Sequence, residues 1–284
     1  MNETSSSEIP SSGSASTLRV LLAIHDNQVA RMPFVHALRL AYAAKGELEI
    51  VDVRSPAERI DTIGVREYLE KWGILSTESK RSDVASVGLR VKKVIKKGNQ
   101  RRVLIKRLKR HPHDLLVVGT GSRSNQGGII GRSLASYLAN YFRHTTLFVP
   151  SEARPFIDEA TGQVALKRII MPVENEFFFQ PAQEHLYRLL SLFPEQTVEV
   201  MILHAGRQFP RFTREAHRQI IWKEELRDQP VVEAIVMVAE NYRADLVVMS
   251  TNGRDTIAQK IIGSNTEQVL RTVSCPVLSV SVVR

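Results

Sequence analysis

The chain has 284 residues and a mass of 32.0 kDa, with 43% hydrophobic and 24% charged residues. That length suits two average domains, each able to bury its own core. One cysteine, Cys275, excludes a disulfide framework and a cysteine-rich zinc site, and points to a reducing, cytoplasmic setting.

The opening MNETSSSEIPSSGSAST has no basic n-region and no apolar core, so it does not read as a secretory signal. It has little to bury and is expected to be a disordered Ser-rich tail over 1–17. No later stretch approaches the roughly 18 apolar residues of a membrane helix, so no membrane partner is expected.

Short apolar runs rich in branched residues then alternate with helical patterns. The expected strands of the first half are 18–24, 47–53, 88–95, 114–119 and 145–150. Those of the second half are 167–173, 197–204, about 218–224, 245–250 and 276–282. The helical pattern after the first strand is Phe34, Ala37, Leu38, Leu40 and Ala41; its counterpart is His185, Leu186, Leu189, Leu190 and Leu192. Alternation of this kind predicts an α/β fold of parallel strands joined by crossover helices.

The two halves are related. Asp114-Leu-Leu-Val-Val-Gly-Thr aligns with Asp245-Leu-Val-Val-Met-Ser-Thr at an offset of 131, and 36 residues from Asp114 to Val149 stay in register without a gap. This is a tandem duplication, and two copies of this size make two domains rather than a solenoid. The expected domains are 18–150, with an insertion at 54–86, and 167–284, joined by a linker at 151–166. Within the insertion, Val65 to Trp72 reads as a short amphipathic helix.

In doubly wound sheets ligands bind beyond the carboxyl ends of strands, where the strand order reverses. The loops after the fourth strands, TGSRSNQGGIIGRS and TNGRDTIAQKIIGS, each lead toward a helix near Ser133 or Ser264. Free backbone N–H groups, glycines and hydroxyls make such a loop an anion cradle. Generic motifs fit poorly. Gly119-Thr-Gly121 lacks the third glycine and the acidic partner of a dinucleotide fingerprint, and Gln126 to Ser133 departs from a P-loop at two positions. No nucleophile elbow or zinc pattern occurs, so no catalytic or metal-binding residue is assigned. His111-Pro-His113 reads as a surface loop.

The second loop resembles that of the universal stress protein family. The family's pattern is G-x2-G-x9-G-[ST] after the fourth strand, then a helix and a last strand often opening Cys-Pro-Val. This chain has Ser250-x2-Gly253-x9-Gly263-Ser264, then Cys275-Pro276-Val277. Three of the four positions match, and the resemblance spans both halves apart from the tail, linker and insertion. It implies two tandem doubly wound domains of the adenine-nucleotide alpha-hydrolase-like type, each with a roughly five-stranded parallel sheet. It also implies a stress-response regulator with an ATP site, Mg accompanying the nucleotide, and at most slow ATPase activity.

In the second half the implied site residues are Glu174, Ser250, Gly253, Gly263 and Ser264. Glu174 stands where binding members carry Asp, and Ser250 replaces the first glycine. In the first half the same positions are His25, with Asp26 beside it, then Gly119, Ser122, Arg132 and Ser133. There Arg132 replaces the glycine that approaches phosphates, so the first site reads as degenerate. The resemblance further implies an intramolecular pseudo-dimer in which strands 145–150 and 276–282 pair. Further homodimerisation of the chain stays open. An adenylating ligase would need an SGGxDS or HxGH loop, and neither occurs.

Net charge is +9, and thirteen Lys/Arg against one Asp between Lys80 and Arg110 account for +12 of it, leaving −3 elsewhere. Residues 98–110 read as a helix with Leu104, Ile105 and Leu108 inward, Arg101 along that stripe, and Arg102, Lys106, Arg107, Lys109 and Arg110 outward. Two readings stay open: a solvated face, or a docking surface for an acidic protein or nucleic acid in a scaffold that binds no nucleotide. The segment carries no aromatic platform for base stacking.

Overall fold

A computed structural model describes all residues except 1–16, 25–30, 55–63, 121–143, 151, 253–264 and 283–284. The tail assigned to 1–17 therefore lies outside the described residues but for Thr17.

The first repeat runs β1 (Arg19–Ile24), α1 (Arg31–Ala43), β2 (Glu47–Arg54), α2 (Val65–Lys71), α3 (Asp83–Ser86), β3 (Arg90–Lys97), α4 (Gln100–Arg110), β4 (Leu115–Thr120) and β5 (Thr146–Pro150). The second runs β6 (Arg168–Pro172), α5 (Glu176–Ser191), β7 (Val198–Ala205), β8 (Ile220–Arg227), α6 (Val231–Asn241), β9 (Leu246–Asn252), α7 (Asn265–Thr272) and β10 (Val277–Val282). Each expected strand is present within three residues of its expected ends.

Among the described residues all ten strands form one sheet in the order β3-β2-β1-β4-β5-β10-β9-β6-β7-β8. Within each repeat neighbours are parallel. The seam between repeats is antiparallel, with Val277 opposite Phe148 and Leu278 opposite Leu147. The last strands thus pair as the resemblance implied. Both are apolar on both faces because helices cover the sheet on each side: Leu147, Phe148, Val149, Val277, Leu278 and Val280 are all buried.

The repeated Asp-Leu motif has a structural cause. Asp114 Oδ2 accepts from the Arg19 backbone N–H at 2.8 Å, and Asp245 Oδ2 accepts from those of Lys167 and Arg168 at 2.9 and 2.8 Å. Each aspartate thereby satisfies the first backbone donors of its repeat's opening strand. It sets that strand's start against the fourth.

The segment joining the repeats is packed rather than a bare tether. Phe156, Ile157 and Leu166 are fully buried, and Ile157 bridges Val164. Glu159 ties this segment to the insertion: Tyr68 Oη donates to its carboxylate at 2.8 Å, Arg31 pairs with it, and Trp72 Nε1 donates to its carbonyl at 3.0 Å. Gly162 has φ +68°, and a Cβ there would lie 2.6 Å from the Trp72 ring, so both backbone and indole require glycine.

Candidate functional site

The strand order reverses between β1 and β4 and again between β6 and β9. The ladders at these two points differ in length. β1 stays paired with β4 as far as Ala23 opposite Val118. β6 pairs with β9 only at Ile169–Leu246 and Ile170–Val247. β9 nevertheless continues to Asn252 alongside Val282 of β10, and β6 continues to Pro172 alongside Leu203 of β7. The ladder ends there because the next residue of β6 that faces β9 is Pro172, which has no N–H to donate. The crevice at this switch point, hereafter the wedge, lies at the carboxyl ends of the strands, between residues 171–174 and 248–252.

The rim of this wedge is set by α5 and β7. Glu174 follows β6 and is exposed. Asn175 is the N-cap of α5 with extended φ and ψ, and its side chain makes no capping bond. Ser250, half-buried, donates its hydroxyl to the Phe178 carbonyl at 2.6 Å, tying β9 to the first turns of α5. His204 Nδ1–H donates to the Val173 carbonyl at 2.9 Å, which fixes the other nitrogen as the acceptor in the neutral ring.

Residues 206–219 close the far side of the rim. Phe212 stacks on Phe179 of α5 with ring centroids 4.3 Å apart, and Phe209 lies 5.9 Å from His204. Glu176 accepts from the Thr213 backbone N–H at 3.0 Å, and Gln180 donates to the Thr213 carbonyl at 2.9 Å. This aromatic rim was not anticipated from the sequence. Its only local sign was three phenylalanines in a row, Phe177 to Phe179, at the start of a helix.

Of the expected site residues, the fold brings Glu174 and Ser250 to the same wedge. Ser250 lies in β9 itself and not in the loop beyond it. Gly253, Gly263 and Ser264 lie outside the described residues, as do His25, Asp26, Ser122, Arg132 and Ser133. Gly119 sits within β4 opposite Val149.

The exposed carboxylate of Glu174 and the wedge beside it fit a ribose-bearing ligand, since a carboxylate accepts from vicinal hydroxyls. The Ser250 hydroxyl is already engaged with Phe178, so it fits that ligand less well. Among the described residues no three His, Cys, Asp or Glu are grouped to hold a metal ion. Burial pushes the Cys275 thiol up to about 12, which makes it inert at neutral pH.

The basic helix needs correction at three positions. Arg107, expected outward, turns in to an ion pair with Glu49 of β2, whose side chain is 2% exposed. Ile105 is only half-buried, and Arg101 is exposed rather than laid along the apolar stripe. Arg102, Lys106, Lys109 and Arg110 are exposed as expected. His113, expected on a surface loop, is buried with Nε2 2.8 Å from the other Glu49 oxygen. The charge in mid-strand at Glu49 could have signalled this, because a buried carboxylate demands partners.

A groove of 620 Å³ lies at the opposite, amino end of the second repeat's strands, lined by Lys167, Arg168, Glu195 and Glu199 among others. It is shallow and distant from the wedge. No helix among the described residues is long and apolar enough to cross a membrane.

No curated protein matches the chain. In structure it is similar to a universal stress protein from Archaeoglobus fulgidus DSM 4304, at 11% identity and a TM-score of 0.59, covering 93% of this chain and 97% of that one. It is also similar to a protein of unknown function from Pseudomonas aeruginosa PAO1, at 15% identity and a TM-score of 0.60, covering 95% of each chain. At these identities the likeness shows the fold alone. The model of the universal stress protein family matches residues 17–150 and again 179–281. With most of its length matched in two successive copies, the chain belongs to the universal stress protein family.

Proposed function

We propose that the chain is a cytoplasmic stress-response regulator that acts by binding rather than catalysis, with an adenine nucleotide held by its second repeat. The observation that supports this reading is the switch point between β6 and β9, which sets Glu174, just past β6, and Ser250, in β9, at the carboxyl ends of neighbouring strands. In this reading Glu174 accepts from the ribose hydroxyls. Gly253 and Gly263 offer backbone N–H groups, and Ser264 offers its hydroxyl, to the phosphates. Bound ATP would supply a Mg-neutralised triphosphate as the regulatory ligand. The first repeat is the silent partner, because Arg132 stands where its backbone would have to approach the phosphates. The repeats act as domains 18–150 and 167–284, paired within one chain.

A thermal melt with and without ATP–Mg tests this. Ligand at about 100 times its Kd adds about 2.7 kcal/mol to the unit that binds it. For a chain of this length melting as one unit, that is a rise of roughly 5 °C. Gly263→Val should abolish the rise. No rise at millimolar ATP overturns the reading.

A further inference from the structure

Among the described residues β8 is one of the two edge strands of the sheet, lying beyond β7. All eight of its residues, Ile220–Arg227, stand in register with β7. The Val198 N–H donates to the Gln219 carbonyl and the Gly206 N–H to the Arg227 carbonyl, each at 2.8 Å. In a parallel ladder alternate residues bond to one neighbour, so Ile221, Lys223, Glu225 and Arg227 serve β7. The N–H and C=O groups of Trp222, Glu224 and Leu226 therefore point to the outer edge.

Sheets blunt an edge with proline, a bulge, a short strand or repelling charge. β8, with the sequence IIWKEELR, has no proline, and its register against β7 is unbroken. Its two cations are matched by two carboxylates. These charges are satisfied within the chain: Lys223 pairs with Glu199, Glu224 with Arg214 and Glu225 with Arg227. Ile221 and Leu226 are nonetheless 52% and 43% exposed. The strand thus offers backbone groups and apolar side chains with no net charge to repel a neighbour.

A second copy of β8 complements the first. A two-fold axis perpendicular to the sheet pairs the strands antiparallel and leaves each residue on its own face. With Glu224 on the axis, Trp222 lies opposite Leu226 of the second copy, and Lys223 lies opposite Glu225. The edge-facing groups of Trp222, Glu224 and Leu226 then meet one another, as an antiparallel ladder requires. Leu226 is covered by the indole, and Ile221 by the aliphatic stem of Arg227. The two facing Glu224 carboxylates each keep their own Arg214, 2.7 Å away, so four charges of alternating sign meet at the axis. Moving the axis one residue either way sets Lys223 against Lys223 or Glu225 against Glu225, and forms no Lys–Glu pair across the seam.

We propose that β8 is a self-docking edge, through which two copies of the chain pair about a two-fold axis at Glu224. One strand against one strand is a small interface, so the pairing is reversible and depends on concentration. This surface is separate from the wedge at β6 and β9, and the inference does not rest on nucleotide binding.

Sedimentation velocity on the full chain from about 1 to about 100 μM, the range of a weak interface, tests it. We expect the monomer to give way to a dimer across that range. Leu226→Lys, at an exposed position, should weaken the dimer roughly tenfold. Lys223→Glu and Glu225→Lys should each weaken it alone, because each sets like charges opposite one another. An equal mixture of those two variants should restore it, because each contact between positions 223 and 225 then joins a carboxylate to an ammonium. A parent that stays monomeric overturns the proposal. So does a dimer that Leu226→Lys leaves unchanged, or a mixture that associates no more tightly than either variant alone. The parent titration and Leu226→Lys decide the matter even where a charge variant fails to fold.

Discussion

Arg107 of α4 and Glu49 of β2 form an ion pair across the layer between helix and sheet, with the carboxylate shielded from solvent. His113 takes the second carboxylate oxygen from the loop before β4. Two neighbouring segments thus meet one buried charge on a strand distant in sequence. The pair anchors the basic helix α4 to the sheet by neutralising Arg107 in the interior.

Removing Arg107 should therefore cost more than removing any outward cation of α4. Arg107→Met leaves Glu49 buried with a partner missing, a loss of about 3–5 kcal/mol. Lys106→Met, on an exposed position, should change stability by less than about 0.5 kcal/mol. Adding Glu49→Gln to Arg107→Met should recover much of the loss. Denaturant melts of the four proteins check this, and equal effects at 106 and 107 would contradict the buried pairing.

His36 of α1 predicts an acid limit. Its ring is fully buried, with Nδ1–H donating to the Met32 carbonyl at 2.8 Å and an edge-on contact with Phe156. Burial holds its pKa down at about 4, against an ordinary value of 6.5. The unfolded chain then takes up a proton that the folded chain refuses. Stability is intact above pH 6.5 and falls as pH drops toward 4, by on the order of 3 kcal/mol in total. His36→Leu should flatten that part of the stability–pH profile. A variant profile as steep as the parent's would remove His36 as the cause.

Ser250 holds β9 to α5 through the Phe178 carbonyl. Ser250→Gly restores the family's residue at this position and deletes that bond. It should lower stability by about 1–2 kcal/mol, from the lost hydrogen bond and the glycine within a strand. It should also tighten ATP if the wedge takes nucleotide. Calorimetric titration of both proteins reads the second effect, and weaker binding by the glycine variant would argue that the hydroxyl belongs to the site.

The antiparallel seam should make the repeats melt together. Phe148 is fully buried where β5 meets Val277 of β10. Phe148→Ala should cost about 3–5 kcal/mol. Scanning calorimetry should show one transition for the parent and a lower, broader or divided one for the variant. Two well-separated transitions in the parent would show that the shared sheet does not couple the repeats.

Much of the fold was legible because parallel strands buried on both faces must be near-continuous apolar runs. Val20 to Ile24 and Leu246 to Met249 could be little else. The site was legible only in part. Glu174 and Ser250 are placed by strand ends, which the apolar pattern marks. The aromatic rim of Phe209 and Phe212 lies in a segment without period, so nothing within that segment announced that it folds back onto α5.

The sequence by itself determined the duplication, the alternation of strand and helix, the family and the location of the charge. These follow from local pattern and from self-comparison, which need no knowledge of what meets what. The tertiary structure decided how the two repeats join in one sheet, in which order the strands lie and which of the basic residues turns inward. Each depends on pairing between residues distant in the chain. A strand's neighbour, unlike its own apolar face, is not written in the strand.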